Sequence, residues 1–405
     1  MSSRLLNLSA RRPIFPRGLV KPTQRFNSSA TDNLAKTALY DLHVEYGGKM
    51  VPYAGFSMPV LYKDQTHIES HNWVREKAGL FDVSHMLQHR ISGTNATRLL
   101  EKITPSDVKG LKPFTSTLSV LLNEQGGIID DTIISKHGEN DFYVVTNAGC
   151  RDKDLAFIKN EIDAIGSGIK HEIITGGLLA LQGPEAAKVL QKFTNYDLNQ
   201  IKFGESAFVD LEGDKYHVAR GGYTGEDGFE VSITNDKVAQ DFAYKLLEVD
   251  SVKPIGLAAR DSLRLEAGMC LYGHELSEEI TPVASALTWV IGKSRRSADD
   301  EIAFNGKSVI LDQIATKKTN LRVGLTVKGP AARDGAEIFA AGEHDKPIGI
   351  VTSGSLSPTL KVNIGMGYVP RKYAKAGTQV EVLVRGKFRP GEIQKLPFVK
   401  PNYFR

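Results

Sequence analysis

Apolar and polar positions follow two rhythms along this chain, one helical and one alternating, and one block of the combined pattern occurs twice. The segment Ile91-Ser-Gly-Thr-Asn-Ala-Thr-Arg-Leu-Leu-Glu-Lys-Ile-Thr-Pro-Ser-Asp-Val108 aligns without gaps on Leu181-Gln-Gly-Pro-Glu-Ala-Ala-Lys-Val-Leu-Gln-Lys-Phe-Thr-Asn-Tyr-Asp-Leu198, 90 residues later. Gly93/Gly183, Ala96/Ala186, Leu100/Leu190, Lys102/Lys192, Thr104/Thr194 and Asp107/Asp197 coincide. Each copy predicts a strand end, a glycine turn and a helix with apolar residues at helical spacing. Pro184 falls in the first helical turn, where a backbone N–H would have no partner to lose.

The sequence after each copy is parallel too. β-like runs at 117–123, 126–135 and 141–146 lead into a helix from about 151, and runs at 207–211, 216–220 and 228–233 lead into a helix from about 236. Two related α+β units are expected, although short strand–turn–helix patterns also recur by coincidence. Beyond residue 300 the texture changes. Short β-like runs at 321–327, 336–340, 346–352, 360–368 and 379–384, broken by Gly, Pro and Asn, predict a compact barrel or sandwich. The charged, Ser-containing segment 293–300 reads as a linker before it.

Composition narrows the class. The 405 residues are 41% hydrophobic and 24% charged, an ordinary globular balance with room for two or three domains. No stretch of 18 apolar residues occurs, so no membrane helix is expected. Cys150 and Cys270 are the only cysteines, too few for a disulfide framework or a zinc finger, which suits a reducing compartment. The net charge of +4 is concentrated at one end. Arg4, Arg11, Arg12, Arg17, Lys21 and Arg25 precede the first acid, Asp32, and without those six charges the remainder stands at −2. The body therefore offers no basic surface for nucleic acid. The leader, with Leu5, Leu6, Leu8, Ile14 and Phe15 among its arginines and serines, has the character of a mitochondrial transit peptide, cleaved after Arg25-Phe26; the alternative is a basic arm that stays attached. The expected organisation is a transit peptide over 1–30, two related, interleaved α+β units over 31–300, and a C-terminal β-barrel domain over 301–405.

Three segments could carry chemistry. In Gly126-Gly-Ile-Ile-Asp130-Asp131, strand alternation turns one carboxylate inward and one outward, and the inward one would need a polar or cationic partner. Such an acid can take a proton or stabilise a cation; the bland alternative is a turn with both acids solvated. Arg220-Gly-Gly-Tyr223-Thr-Gly-Glu226-Asp227-Gly228-Phe-Glu230 packs four glycines beside an aromatic ring and three acids. It is too acidic for a phosphate loop but suits a flat ligand presenting parallel N–H donors, such as a pterin, to a carboxylate. A simple hairpin turn is the alternative. In Ala259-Arg260-Asp261-Ser-Leu-Arg264-Leu-Glu266, the two arginines share a helical face and suit a ligand carboxylate, unless they are paired within the fold. His67/His71 and His85/His89 have a metal-like spacing without the accompanying Glu or a third ligand, so no metal is expected. No dinucleotide-binding glycine motif is present, and Cys150 has no partner for redox or nucleophilic chemistry.

Taken together, Phe81-Asp-Val-Ser-His-Met86, Gly126-Gly-Ile-Ile-Asp-Asp131, Val144-Val-Thr-Asn-Ala-Gly149, Gly222-Tyr-Thr-Gly-Glu-Asp-Gly228 and Ala259-Arg-Asp-Ser-Leu-Arg-Leu-Glu-Ala267 resemble the aminomethyltransferase, or T-protein, family of the glycine cleavage system. The likeness continues through Thr288-Trp289, Val351-Thr-Ser-Gly354, Met366-Gly-Tyr-Val-Pro370 and Pro397-Phe-Val-Lys-Pro-Asn-Tyr403, so it covers the chain after the leader. The resemblance implies an α+β fold of three domains in a ring around a folate channel, in the mitochondrial matrix. It implies tetrahydrofolate as co-substrate, no metal or nucleotide, lipoylated H-protein as partner, and the P- and L-proteins as functional partners. It also implies roles for residues. Asp131 acts near the reacting folate nitrogens, and Glu230 grips the pterin. Arg260 and Tyr403 complete the ligand site, while Met86, Asn147, Tyr223 and Trp289 line it. Two alternatives use the same fold. A folate-binding iron–sulfur assembly factor would carry a Cys-containing motif where this chain has Gly221-Gly-Tyr-Thr-Gly-Glu226, and a dimethylglycine or sarcosine dehydrogenase would carry a long flavin domain ahead of this region.

Overall fold

The computed structural model describes residues 34–297 and 303–405. The leader expected at 1–30 lies outside the described residues, as do residues 298–300 of the expected linker.

The duplication is visible in three dimensions. In the first copy, strand Leu87–Ser92, helix Ala96–Ile103, strands Ser116–Leu122, Ile128–Gly138 and Asp141–Thr146 and helix Arg151–Ile165 follow in order. The second copy repeats the plan with strand Gly177–Gln182, helix Ala186–Leu190, strands Ser206–Leu211, Asp214–Arg220 and Gly228–Ile233 and helix Asp236–Leu247, and strand Val252–Pro254 extends its sheet by pairing in parallel with Ala78–Asp82. The first helix shows why: Ala96, Leu99, Leu100 and Ile103 form one apolar face and are all buried against Phe142, Val144 and Ile158. Each large member of that face contributes roughly 1.5–3 kcal/mol through burial. In the second copy Pro184 precedes the helix, which begins at Ala186.

The two copies exchange a strand. Ala78–Asp82 runs just before the first copy but pairs with the second, Leu80 opposite Leu181. Lys170–Ile174 runs just before the second copy but pairs with the first, His171 opposite Ile91. The glycine turns make this possible. Gly93 and Gly183 adopt φ of 110° and 132°. A Cβ on Gly93 would come within 2.5 Å of the Gly168 carbonyl, and one on Gly183 within 2.2 Å of the Lys77 carbonyl. The crossing chain accepts the next helix's N–H as well: Asn95 donates to the Gly168 carbonyl and Glu185 to the Lys77 carbonyl. The matching glycines in the sequence thus mark the points where the copies hold one another.

The result is a five-stranded and a six-stranded sheet. The outer face of each is covered by its own helices. The inner faces meet in a shared core of Phe81, Val83, Leu178 and Ala180 from one sheet and Tyr143 and Val145 from the other. Helix Leu257–Glu266 closes one side of this core with Ala259 and Leu263 and reaches the C-terminal domain through Leu265, which packs on Ile364 and Met366. That domain is a closed barrel of six strands, Asn320–Val327, Glu337–Ala340, Gly349–Leu356, Asn363–Pro370, Gln379–Val384 and Lys387–Gln394, closed by pairing of the first with the last. The fold is α+β, as the pattern predicts. The sixth barrel strand was not among the runs read from the sequence, because Pro390 and Gly391 resemble a break; both pair with their neighbours here. Helix Lys307–Thr316 was likewise unread.

The linker reading of 293–300 needs correction in its described part. Arg295 is buried and donates to the Ser106 and Glu101 carbonyls, and Arg296 donates to the Thr288 and Ile291 carbonyls. These two side chains fasten the segment to the body.

Candidate active site

The Asp130–Asp131 pair follows a turn built by Asn123, whose side-chain carbonyl accepts the Gln125 and Gly127 N–H groups at 3.0 and 2.9 Å. A bulge then shifts the register, so that Leu122 faces Ile128 and Leu121 faces Asp130. Past the bulge the strand alternates. Asp130 is fully buried on the side of helix Arg151–Ile165, next to Asp154. Asp131 is partly exposed on the opposite side and senses Arg260 across the space between the sheets. Neither acid is solvated as in a simple turn. One residue serves both: the Asn147 N–H donates to Asp130 Oδ2 at 2.7 Å, while Asn147 Nδ2 donates to Asp130 Oδ1 at 2.9 Å and to Asp131 Oδ1 at 2.8 Å. Burial and the charge of Asp130 push the Asp131 carboxyl up to about 7, against the pull of Asn147 and Arg260.

The glycine-rich segment proves to be both a hairpin connection and a wall. It joins strands that pair through Arg220 and Phe229. Its backbone lies on Gln182, which donates to the Gly221 carbonyl at 2.8 Å and accepts from Thr224. A Cβ on Gly222 would stand 2.0 Å from Gln182 Oε1, so the close approach requires glycine. Two of the three acids in this segment are spent on the fold. Asp227 takes a bidentate pair from Arg220 at 2.9 and 2.6 Å, and Glu226 pairs with Arg75 at 2.9 Å and accepts from Asn402 at 3.1 Å. The reading of the whole loop as an acidic pocket is therefore corrected. Glu230 alone remains, inward on strand Gly228–Ile233 between Ala219 and Ala180, with no hydrogen bond to its carboxylate from the described residues. Burial raises its carboxyl above the ordinary range and Arg260 opposes the shift.

Helix Leu257–Glu266 shows a similar division between its two arginines. Arg264 is buried and locked, donating to Asp261, Glu275 and Ser353 at 2.7–2.9 Å. It joins the helix to the barrel and is unavailable to a ligand. Arg260, one turn earlier, is partly exposed and its guanidinium makes no hydrogen bond with the described residues. It stacks over the Tyr223 ring at 4.6 Å, and the Tyr223 hydroxyl donates to the Cys270 carbonyl. Asp131, Asn147, Tyr223, Glu230 and Arg260 are thus brought together, with Met86 packed on the adjoining inter-sheet core. His85 beside it is buried and held neutral, down to about 4, by burial and by Arg260. Tyr403 stands elsewhere, stacked on Phe203 at 3.9 Å, where the C-terminal segment crosses the outside of the loop through Asn402 and Gly225. Trp289 is 61% exposed on the turn Thr288–Val290 and makes no ring contact or side-chain hydrogen bond with this group. The residue that sequence reasoning missed is Asp154. In the sequence it resembles any first-turn acid of a helix, and nothing local marks it as buried.

Geometrically the site presents one acceptor, Glu230, and one donor fork, Arg260, both without hydrogen-bond partners among the described residues, beside an acid with a displaced titration. The chain is similar to known proteins along most of its length. Residues 39–295 match the GCVT N-terminal domain, and residues 321–400 match the glycine cleavage T-protein C-terminal barrel domain. The mitochondrial aminomethyltransferase of Saccharomyces cerevisiae is 54% identical, over 94% of this chain and 98% of its own. The probable mitochondrial aminomethyltransferase of Schizosaccharomyces pombe is 50% identical, over 94% and 96%. The crystal structure of glycine cleavage system aminomethyltransferase T from Bartonella henselae superposes with a TM-score of 0.85 at 37% identity, covering 92% of this chain and all of that one. Nothing in these comparisons favours the iron–sulfur assembly reading. The chain therefore belongs to the glycine cleavage T-protein family, the mitochondrial aminomethyltransferases.

Proposed function

We propose that Asp131, Glu230 and Arg260 are the reacting centre of a tetrahydrofolate-dependent transfer. An aminomethyl group on the lipoyl arm of H-protein loses its nitrogen as ammonia and its carbon to tetrahydrofolate, giving the 5,10-methylene form and leaving the dihydrolipoyl arm. The P- and L-proteins of the same system are its functional partners in the mitochondrial matrix. The observation that carries this reading is the coexistence of Glu230 and Arg260, both without a hydrogen-bond partner among the described residues, with Arg260 near enough to act on both Glu230 and Asp131.

The residues fit a reduced folate. Glu230 can accept two parallel N–H groups of the pterin, and Arg260 can donate to an oxygen on the same ligand. The Tyr223 ring and Met86 give flat and apolar walls. Tetrahydrofolate, when bound, supplies the nucleophilic nitrogens that receive the carbon. The chain's own part is positional and electrostatic. Glu230 and Arg260 orient the ligand relative to the incoming arm. Asp131, held by Asn147, presents negative charge where positive charge develops as ammonia departs. A carboxyl that titrates near neutrality can also hold or take a proton there.

The test uses H-protein loaded with the aminomethyl group, with ammonia and methylene-tetrahydrofolate measured together. Asp131→Asn should retain folate affinity and lose roughly 100-fold to 10,000-fold in turnover. Wild-type turnover by a variant that binds folate normally would overturn the assignment of Asp131.

A further inference from the structure

Behind Asp131 lies a second layer of acid that the transfer itself does not touch. Asp154, in the first turn of helix Arg151–Ile165, and Asp130 are both 0% exposed and lie side by side. Asp130 accepts two hydrogen bonds from Asn147. Asp154 has the Asp130 carboxyl and the Thr146 hydroxyl beside it, yet neither of its oxygens meets an aligned donor. Two carboxyls this close and this dry cannot both be ionised, and a proton on either one converts the repulsion into an O–H···O bond. Burial pushes both upward; Asp154 raises Asp130 further, whereas the Asp130 and Thr146 contacts and Lys153 hold Asp154 to about 6. Among the described residues this pair is joined to the site by Asn147 Nδ2, which touches a carboxylate oxygen of Asp130 and one of Asp131.

We propose that Asp130 and Asp154 are positioning residues: a buried carboxyl pair that shares one proton and, through the Asn147 amide, aims Asp131 at the space between the sheets and governs its charge. The other charged and titratable groups around this chain of contacts are few. Lys153 and the Cys150 thiol adjoin the pair, the thiol kept protonated by burial and by Asp130. Arg260, Tyr223 and Cys270 face Asp131 from the opposite side, and Tyr223 and Cys270 are also pushed upward by burial. Arg260 is therefore a cation set against Asp131, and the pair is the adjustable negative charge behind it.

The sign of the effect differs between the two acids. In Asp154→Asn the amide donates to Asp130, which becomes a permanent anion next to Asp131, so Asp131 should ionise at higher pH. In Asp130→Asn the adjacent negative charge is gone, so Asp131 should ionise at lower pH. Each displacement should be roughly one unit. The pairwise opposition is what a merely structural role would not produce.

This inference rests on the proposed role of Asp131 only for its consequence in catalysis, so the experiment reads the carboxyls directly. Protein labelled with 13C at the aspartate side-chain carboxyl is titrated by NMR in the full-length chain, with Asp131 assigned by its loss in Asp131→Asn. The pH profile of the transfer is measured in parallel. Opposite displacement of the Asp131 titration in Asp154→Asn and Asp130→Asn supports the inference. An Asp131 titration unmoved in both variants, or moved the same way in both, overturns it. If the titration moves as expected while the rate profile does not, the coupling stands and the catalytic role of Asp131 falls. Should Asp130→Asn fail to fold, Asp154→Asn decides the matter alone: an Asp131 titration displaced to higher pH supports the inference, and one unmoved or displaced to lower pH overturns it.

Discussion

The two copies share a plan but not a chemistry. Strand register lets them be compared position by position. Val120 faces Asp131 in the first copy, and Asp210, 90 residues on, faces Lys215 in the second. Arg90 faces Tyr143 in the first, and Ala180 faces Glu230 in the second. The place of the reacting acid is thus taken by an exposed lysine, and the place of the ligand-gripping acid by a buried tyrosine. What matches between copies (the glycine turns, the helix faces, the exchanged strands) holds the fold. What differs is turned toward the shared inner layer and makes a one-sided site from a two-sided scaffold. The copies also treat surplus acid differently. The second neutralises Asp227 and Glu226 with Arg220 and Arg75, whereas the first keeps Asp130 and Asp154 against each other with no ion pair to either among the described residues, Lys153 acting only from nearby.

The largest effect that sharpens this contrast concerns the two arginines of one helix. Arg264→Met should destabilise the protein by about 3–5 kcal/mol in urea unfolding, because Glu275 is left buried without its cation. Arg260→Met should change stability by less than about 1 kcal/mol while weakening folate binding. Equal stability losses would erase the distinction between a locked and an available arginine. Next in size, Glu230→Gln should weaken tetrahydrofolate binding by about 1.5–3 kcal/mol in calorimetry, since an acceptor is replaced by a donor facing N–H groups.

The smallest effect is on pH dependence. Asp130, Asp131 and Asp154 all titrate above the unfolded value of 3.8. The folded protein then holds protons that the unfolded chain releases, so this contribution to stability is full below pH 3.8 and is lost as pH climbs through 6 and 7. Unfolding measured at pH 5 and pH 8 should show stability falling between them from this source, and Asp154→Asn should flatten the fall. Asp82 runs the other way: despite the cost of burial, hydrogen bonds from His43, Ser84 and Thr37 hold it at about 2, so its contribution persists until strongly acid conditions.

Much of this architecture was legible in the sequence because it rests on local rules. Strands Asp141–Thr146, Gly228–Ile233 and Gln379–Val384 have the bounds that alternation predicts, and helices start at Arg151 and Asp236 as read. The glycine pair at 93 and 183 was visible as identity, though not its reason, which is a close contact with the backbone leading into the exchanged strand. The site was legible as residue types, and its state of pairing was not. Nothing local tells Glu226 from Glu230, or Arg264 from Arg260. The partners that decide, Arg75 for Glu226 and Glu275 for Arg264, come from other elements of the fold. Asp154 escaped notice for the same reason: its burial is a property of the sheet it faces.

The central claim is a division of labour, with the first copy supplying the reacting carboxylate and the second fixing the ligand. The most direct measurement sets two variants side by side, recording tetrahydrofolate affinity and the single-turnover rate at saturating folate with aminomethyl-loaded H-protein. Asp131→Asn should lose rate and keep affinity, and Glu230→Gln should lose affinity and keep most of its rate. Loss of both quantities in the same proportion in both variants would contradict the division.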